Sequence, residues 1–138
     1  MELKIEHLAP YLPYGLNLQY IVRGKVEKIG VMKSISHNED ETHPTRVSIT
    51  QMYNQEHIWM FRPLLKPKTH LHKLQNEILI RWGGGLSERG KAQWIKIMTD
   101  SMLSSAHASL IHDEVQFMLE NHIDVFGLID NDLATAVS

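Results

Sequence analysis

Near the start of the chain Leu16, Leu18 and Tyr20 alternate with Asn17 and Gln19, the two-residue period of a strand with one buried face. Arg23-Gly24 predicts a tight turn into a second strand over 25–33, where Val26 and then Ile29 and Val31 change parity. That change predicts a bulge near Lys28 or a strand that starts late. Residues 34–45 are polar, carry Asn38-Glu39-Asp40-Glu41 and Pro44, and are expected to form an exposed loop. Val47, Ile49, Gln51 and Tyr53 then alternate, Asn54-Gln55 turns, and 57–61 is expected to return as a partner strand. Four short strands at this spacing predict a small antiparallel sheet or partial barrel over 16–61.

Beyond that point the period lengthens. Arg62-Pro63-Leu64-Leu65-Lys66-Pro67 is expected to leave the sheet, because proline cannot donate to a ladder. Thr69 is a fair N-cap for a helix using Leu71, Leu74, Ile78 and Leu79, with a strand over 78–82 as the alternative. Gly83-Gly84-Gly85 ends that element. Residues 91–103 place Trp94, Ile97 and Met98 at helical spacing. The clearest helix is 109–122, with Ile111, Val115, Met118, Leu119 and His122 on one stripe and Asp113 and Glu114 in its first turn. Another helical turn is expected around Phe126. The pattern predicts one α+β domain over 1–138, mainly β over 16–61 and mainly α over 68–138, with two or three helices packed on the sheet.

Composition narrows the chemistry. In 138 residues there is no cysteine, so disulfides, thiolate nucleophiles and cysteine-ligated metals are excluded. No apolar leader is visible in the first residues, and a cytoplasmic protein without membrane association is expected. The formal charge of −2 hides three blocks. Residues 1–61 are close to neutral. Residues 62–99 set eight Lys and Arg against Glu77 and Glu88, whereas 100–138 hold acids and no Lys or Arg at all. Lys66, Lys68, Lys73, Arg81, Arg89 and Lys91, interleaved with Trp82 and Trp94, are the candidate nucleic-acid contacts. The competing expectation, which we favour, is that the two tryptophans are core and the basic block neutralises the acidic one.

Gly85-Leu86-Ser87-Glu88-Arg89-Gly90-Lys91-Ala92 satisfies G-x-x-x-x-G-K, yet Ala92 stands where the magnesium-binding hydroxyl belongs, and a connecting loop is the better expectation. Nine histidines form no recognised ligand spacing; His70 and His72 are only two apart. His122 is expected to be a core or interface histidine that Asp124 could orient. No nucleophile elbow is complete. No catalytic set, metal or cofactor is therefore assigned.

Three segments resemble a group of small uncharacterised proteins carried by prophages and other mobile elements of gut bacteria. They are His7-Leu8-Ala9-Pro10-Tyr11-Leu12-Pro13-Tyr14-Gly15-Leu16, Phe61-Arg62-Pro63-Leu64 and Glu120-Asn121-His122-Ile123-Asp124-Val125-Phe126-Gly127-Leu128-Ile129. Leu65-Lys66-Pro67 departs from the usual serine–aspartate continuation, and Asp132 stands where a glycine commonly precedes Leu133-Ala134. The group has no assigned activity, so the resemblance implies an accessory mobile-element protein and transfers no catalytic residue. Physically, Pro10, Pro13 and Gly15 fix a turn that presents Tyr11 and Tyr14, while Phe126 and Ile129 supply apolar anchors. The two ends are expected to pack together. The function expected is non-enzymatic binding of a protein partner or a second copy of the chain, with nucleic-acid binding through 62–99 as the alternative. A small enzyme or nucleotide binder using 85–91 comes third.

Overall fold

The structure, a computed structural model, describes all 138 residues. In chain order, α1 (Ile5–Leu8) runs into a 3-10 turn over Ala9–Tyr14, followed by β1 (Asn17–Val22), β2 (Lys25–His37), β3 (Thr45–Ile49) and β4 (Glu56–His57). A 3-10 turn over Ile58–Met60 leads to β5 (Phe61–Leu65), and another over Lys68–Leu74 leads to α2 (Gln75–Trp82). Then come α3 (Glu88–Ser104), a short turn over His107–Ser109, α4 (His112–Glu120) and β6 (Thr135–Ala136). The six strands form one sheet in the order β4-β3-β2-β1-β5-β6, antiparallel except for the parallel β5–β6 pair. The architecture is α+β, and the sheet is open rather than closed into a barrel. No helix is long and apolar enough to cross a membrane.

The local signals at the start of the sheet act as expected. Arg23 (φ 53°) and Gly24 (φ 76°) both occupy the left-handed region that a two-residue hairpin requires. Tyr20 pairs with Lys28 and Ile21 with Val26, leaving Glu27 as the bulged residue. Beyond the bulge Leu18 and Met32 face the core, while Ile29 and Val31 face solvent. Gly30 has no room for a side chain: a Cβ would lie 2.6 Å from the Thr50 hydroxyl, which accepts a hydrogen bond from Val31 N–H.

Elsewhere the structure corrects the sequence. The polar run 34–45 is not all loop. β2 continues to His37 because the Ser34 and Ser48 hydroxyls pair at 2.6 Å across the β2–β3 ladder, giving polar side chains a partner within the sheet. β3 stops at Ile49, since Gln51 turns with φ 72° and Tyr53 is fully exposed. The expected strand over 57–61 is a two-residue β4 and a 3-10 turn.

Arg62 and Pro63 do not leave the sheet; they lie inside β5. Val137 N–H donates to the Leu65 carbonyl, so by strand alternation the Pro63 nitrogen also faces the β6 side. Pairing with β6 begins only at Leu64, one residue later, and the missing N–H therefore breaks no ladder bond.

The helices shift too. The segment after β5 starts at Lys68 with Pro67 at the cap position, so Thr69 lies inside the turn, and 78–82 is helical rather than extended. α3 begins three residues earlier than expected because the Ser87 hydroxyl accepts Gly90 N–H. Its buried residues are Ile95, Thr99 and Met102, one position round from the expected stripe, and Ile97 is exposed. α4 ends at Glu120. His122 lies beyond it in the left-handed region (φ 56°), Ile111 is exposed before it, and no helical turn forms at Phe126. The mainly helical C-terminal half also returns β6 to the sheet.

One buried group is unpaired in this core. Thr99 is fully buried and its hydroxyl has no hydrogen-bond partner. Leaving such a group unsatisfied costs about 1–3 kcal/mol. The near-isosteric Thr99→Val is expected to raise stability by about 1 kcal/mol in urea unfolding; a variant no more stable than its parent would show that a buried water satisfies the hydroxyl.

Candidate functional site

The two ends of the chain meet around one phenol. Pro10 and Pro13 hold the opening segment in 3-10 geometry, and Gly15 (φ 66°) terminates it in the left-handed conformation. Tyr11 is thereby completely buried. Its hydroxyl donates to the Ile123 carbonyl at 2.5 Å and accepts Val125 N–H at 3.2 Å. Burial pushes the phenol well above the ordinary tyrosine value, so it stays protonated and able to donate. His122 donates from Nε2 to the Tyr14 carbonyl at 2.6 Å, which fixes the proton on that nitrogen in the neutral ring. His122 is thus oriented by the opening segment and not by Asp124. The buried Asp124 carboxylate accepts Leu128 N–H and Ile129 N–H, each at 2.8 Å, and shapes the turn that Gly127 (φ 73°) completes.

The closing segment is gripped from its other side by the chain leaving β5. Lys66 N–H donates to the His122 carbonyl at 2.8 Å and Asp124 N–H to the Lys66 carbonyl at 2.9 Å. Further on, Arg62 donates to the Thr135 hydroxyl, the Asp132 and Ala134 carbonyls and the Asp132 carboxylate, the last at 2.5 Å. Asp132 therefore supplies the carboxylate partner of Arg62. Ile123, Val125 and Leu128 are the buried anchors; Phe126 and Ile129, expected in that role, are half-buried.

Phe126 instead forms part of an open cleft of about 790 Å³ between the closing segment and the end of α3. Its ring lies between His7 (centroids 5.6 Å apart) and the exposed His107 (4.8 Å), with Tyr11 edge-on at 6.3 Å. Leu103 and Ile129 extend the apolar wall, and Lys68 and Thr69 stand opposite. Lys68 donates to the Ser105 carbonyl at 2.8 Å, a cation at the C-terminus of α3, where the helix dipole favours it. His7 accepts Lys4 N–H at Nδ1 (3.0 Å), so its neutral form carries the proton on Nε2, and burial, the largest effect on it, lowers its pKa. The Ser104 and Ser105 hydroxyls donate to carbonyls within α3, and Asp124 is occupied by two amides. The cleft can pack an apolar group on Phe126 and bind polar groups through Lys68 and His7.

The sequence-predicted basic contacts are not brought to one place. Lys68 lines the cleft, Lys66 does not, and Lys73 lines a neighbouring groove with His70. Arg81 bridges Asp113 at 2.8 Å and Glu120 at 3.0 Å, and the same contact holds Asp113 below the usual carboxylate range. Trp82 donates to Asp113 at 2.6 Å and packs edge-on against Phe117, while Trp94 is half-buried against the core. Arg89 and Lys91 lie beyond the glycine loop, Lys91 beside Glu88 at 3.4 Å. That loop joins two helices, so the strand a phosphate-cradling loop follows is missing. Sequence reasoning missed His7 and His107 as cleft residues. His7 opens the first motif, a signal that was present; His107 lies in a polar stretch with none.

Compared with protein-family models, curated proteins and solved structures, the chain matches none.

Tyr11→Phe strands the Ile123 carbonyl and Val125 amide in the core and is expected to cost about 1–3 kcal/mol in urea unfolding. A loss below about 0.5 kcal/mol would place the closure elsewhere. His7 gives a pH signature. Below pH about 6.5 the unfolded chain binds a proton there while the folded chain resists, so its contribution to stability is present above that pH and is lost on acidification. His7→Gln keeps an acceptor for Lys4 N–H and should flatten the melting temperature against pH between 7.5 and 5. Parallel curves for the two proteins would reject this. His70, also lowered by burial, contributes equally to both.

Proposed function

We propose that this chain is an accessory protein of a prophage or related mobile element that binds another protein, without catalysing a reaction, through the cleft at Phe126. The carrying observation is that His7, Asp124, Val125, Phe126, Gly127 and Ile129, which all line the cleft, come from the two long motifs of the opening and closing segments. Phe126 is half-buried by its own chain, leaving aromatic surface that a partner's apolar side chain would cover. The nucleic-acid reading keeps one supporting observation: Lys66, Lys73, Arg89 and Lys96 have no carboxylate partner. Against it, Arg81 and Lys91 are paired and Lys68 is held by a carbonyl.

A photoreactive phenylalanine analogue placed at position 126, with the fully exposed Tyr53 position as control, separates these readings. We expect a discrete protein adduct at 126, to a partner or to a second copy of the chain. It should be competed by unlabelled protein and weakened at least tenfold by Lys68→Glu. Adducts to nucleic acid, or identical adducts at 126 and 53, would overturn the proposal.

A further inference from the structure

A second site lies at the other end of β5, around an indole that the fold exposes and holds rigid. The 3-10 turn over Ile58–Met60 buries Ile58 and turns Trp59 outward, leaving it 57% exposed. A lone exposed aromatic needs no explanation. This one is braced. His57 stacks flat on one face of the ring, with centroids 4.2 Å apart and planes 7° apart. His43, from the loop between β2 and β3, packs edge-on at 4.6 Å. His57 thus covers part of the indole and His43 packs against it, yet more than half of the Trp59 surface remains exposed.

Trp59 also borders a cavity of about 450 Å³ whose apolar lining includes Ile21, Met60 and Leu133. Arg23 lines the same cavity from the β1–β2 turn, where its backbone is pinned in the left-handed region. The two arginines of this cavity differ. Arg62 is closed by Asp132, whereas Arg23 has no hydrogen bond or ion pair. Glu2 and Asp132, both in the lining, are the carboxylates that an anion would have to avoid, the latter already paired with Arg62. A preset aromatic face, apolar filling and one free guanidinium match a planar ring that carries an anionic group. The volume lies within the range of small-ligand sites.

We propose that Trp59 and Arg23 form a binding site for a nucleotide unit, its base stacked on the indole and its phosphate on the guanidinium. The unit is either a free nucleotide or one residue of a single strand. Stacking on an aromatic face tolerates any base, so little sequence preference is expected. The site is separate from the glycine loop over 83–87 and uses none of the six lysines and arginines that the sequence singles out.

Calorimetry with AMP and fluorescence anisotropy with a labelled fifteen-residue oligo(dT), at low and moderate salt, test this on the intact chain. Trp59→Leu should weaken binding about five- to hundredfold, while Trp59→Phe keeps a stacking face and loses less. Arg23→Asn, a residue that tolerates positive φ, should weaken binding and reduce its salt dependence without changing the melting temperature. AMP binding as tight as the oligonucleotide identifies a free nucleotide, and an oligonucleotide preference above tenfold identifies a single strand. Either result supports the site. Absence of binding at 1 mM ligand in low salt would overturn it, as would unchanged affinity in Trp59→Leu. Failure to bind, together with loss of a protein cross-link on Trp59→Leu, would reassign the indole to a protein contact.

Discussion

The hydroxyl of Tyr11 links backbone groups 112 and 114 residues away in the sequence, donating to one and accepting from the other inside the core. Backbone N–H and C=O groups removed from water must find partners, and the segment after α4 has almost no regular structure to provide them. A single bridge to Lys66 and the two residues of β6 are its only sheet contacts. Side chains therefore satisfy its backbone: Tyr11 at Ile123 and Val125, Asp124 at Leu128 and Ile129, Arg62 at Asp132 and Ala134. The path of the eighteen residues after α4 depends on that set, and the phenol is its buried member with both a donor and an acceptor engaged across the chain.

The cleft follows from the closure. Anchoring Ile123, Val125 and Leu128 inward turns Phe126 toward the end of α3, where it meets His107 from the following turn and His7 from α1. The residues that hold the chain together and those that line the cleft are thus interleaved, one after another, in the closing motif. A substitution at Asp124 would act on both. One at Phe126, which carries no backbone hydrogen bond through its side chain, acts mainly on the surface it presents. The closing motif thus holds the chain and lines the cleft at once, and Phe126 is the position where the two can be separated.

What was legible in the sequence was local. The alternation of Leu18 and Tyr20, the Arg23-Gly24 turn and the parity change near Lys28 each depend on neighbouring residues, and each corresponds to a feature of the hairpin. The place of β5 was not legible, because whether Pro63 breaks a ladder depends on where a strand seventy residues later begins to pair. The face of α3 was ambiguous for a related reason: Trp94 and Met98 compete with Ile95, Thr99 and Met102 for the core, and the packing of the whole domain decides between them. The opening and closing motifs contain several of the residues that line the Phe126 cleft, but not His107. Nor did any pattern indicate that Trp59 would be braced by two histidines from separate strands and loops.

The charge blocks resolve by residue type as much as by position. Arg81 and Arg62 carry the contacts between the basic middle and the acidic end, Arg81 spanning α4 from Asp113 to Glu120 and Arg62 reaching two carbonyls and a carboxylate at once. A planar guanidinium with five fixed donors suits such multiple contacts; an ammonium on a flexible stem suits them less. Lys66 and Lys73 remain without carboxylate partners, and Lys68 spends one donor on a helix terminus at the cleft. Exposed ion pairs contribute little stability individually, so the arginines matter chiefly because each fixes the relation of two segments distant in sequence. Neutralisation is thus architectural where Arg62 and Arg81 are used, whereas of the lysines in the same block Lys68 lines the cleft and Lys73 the neighbouring groove.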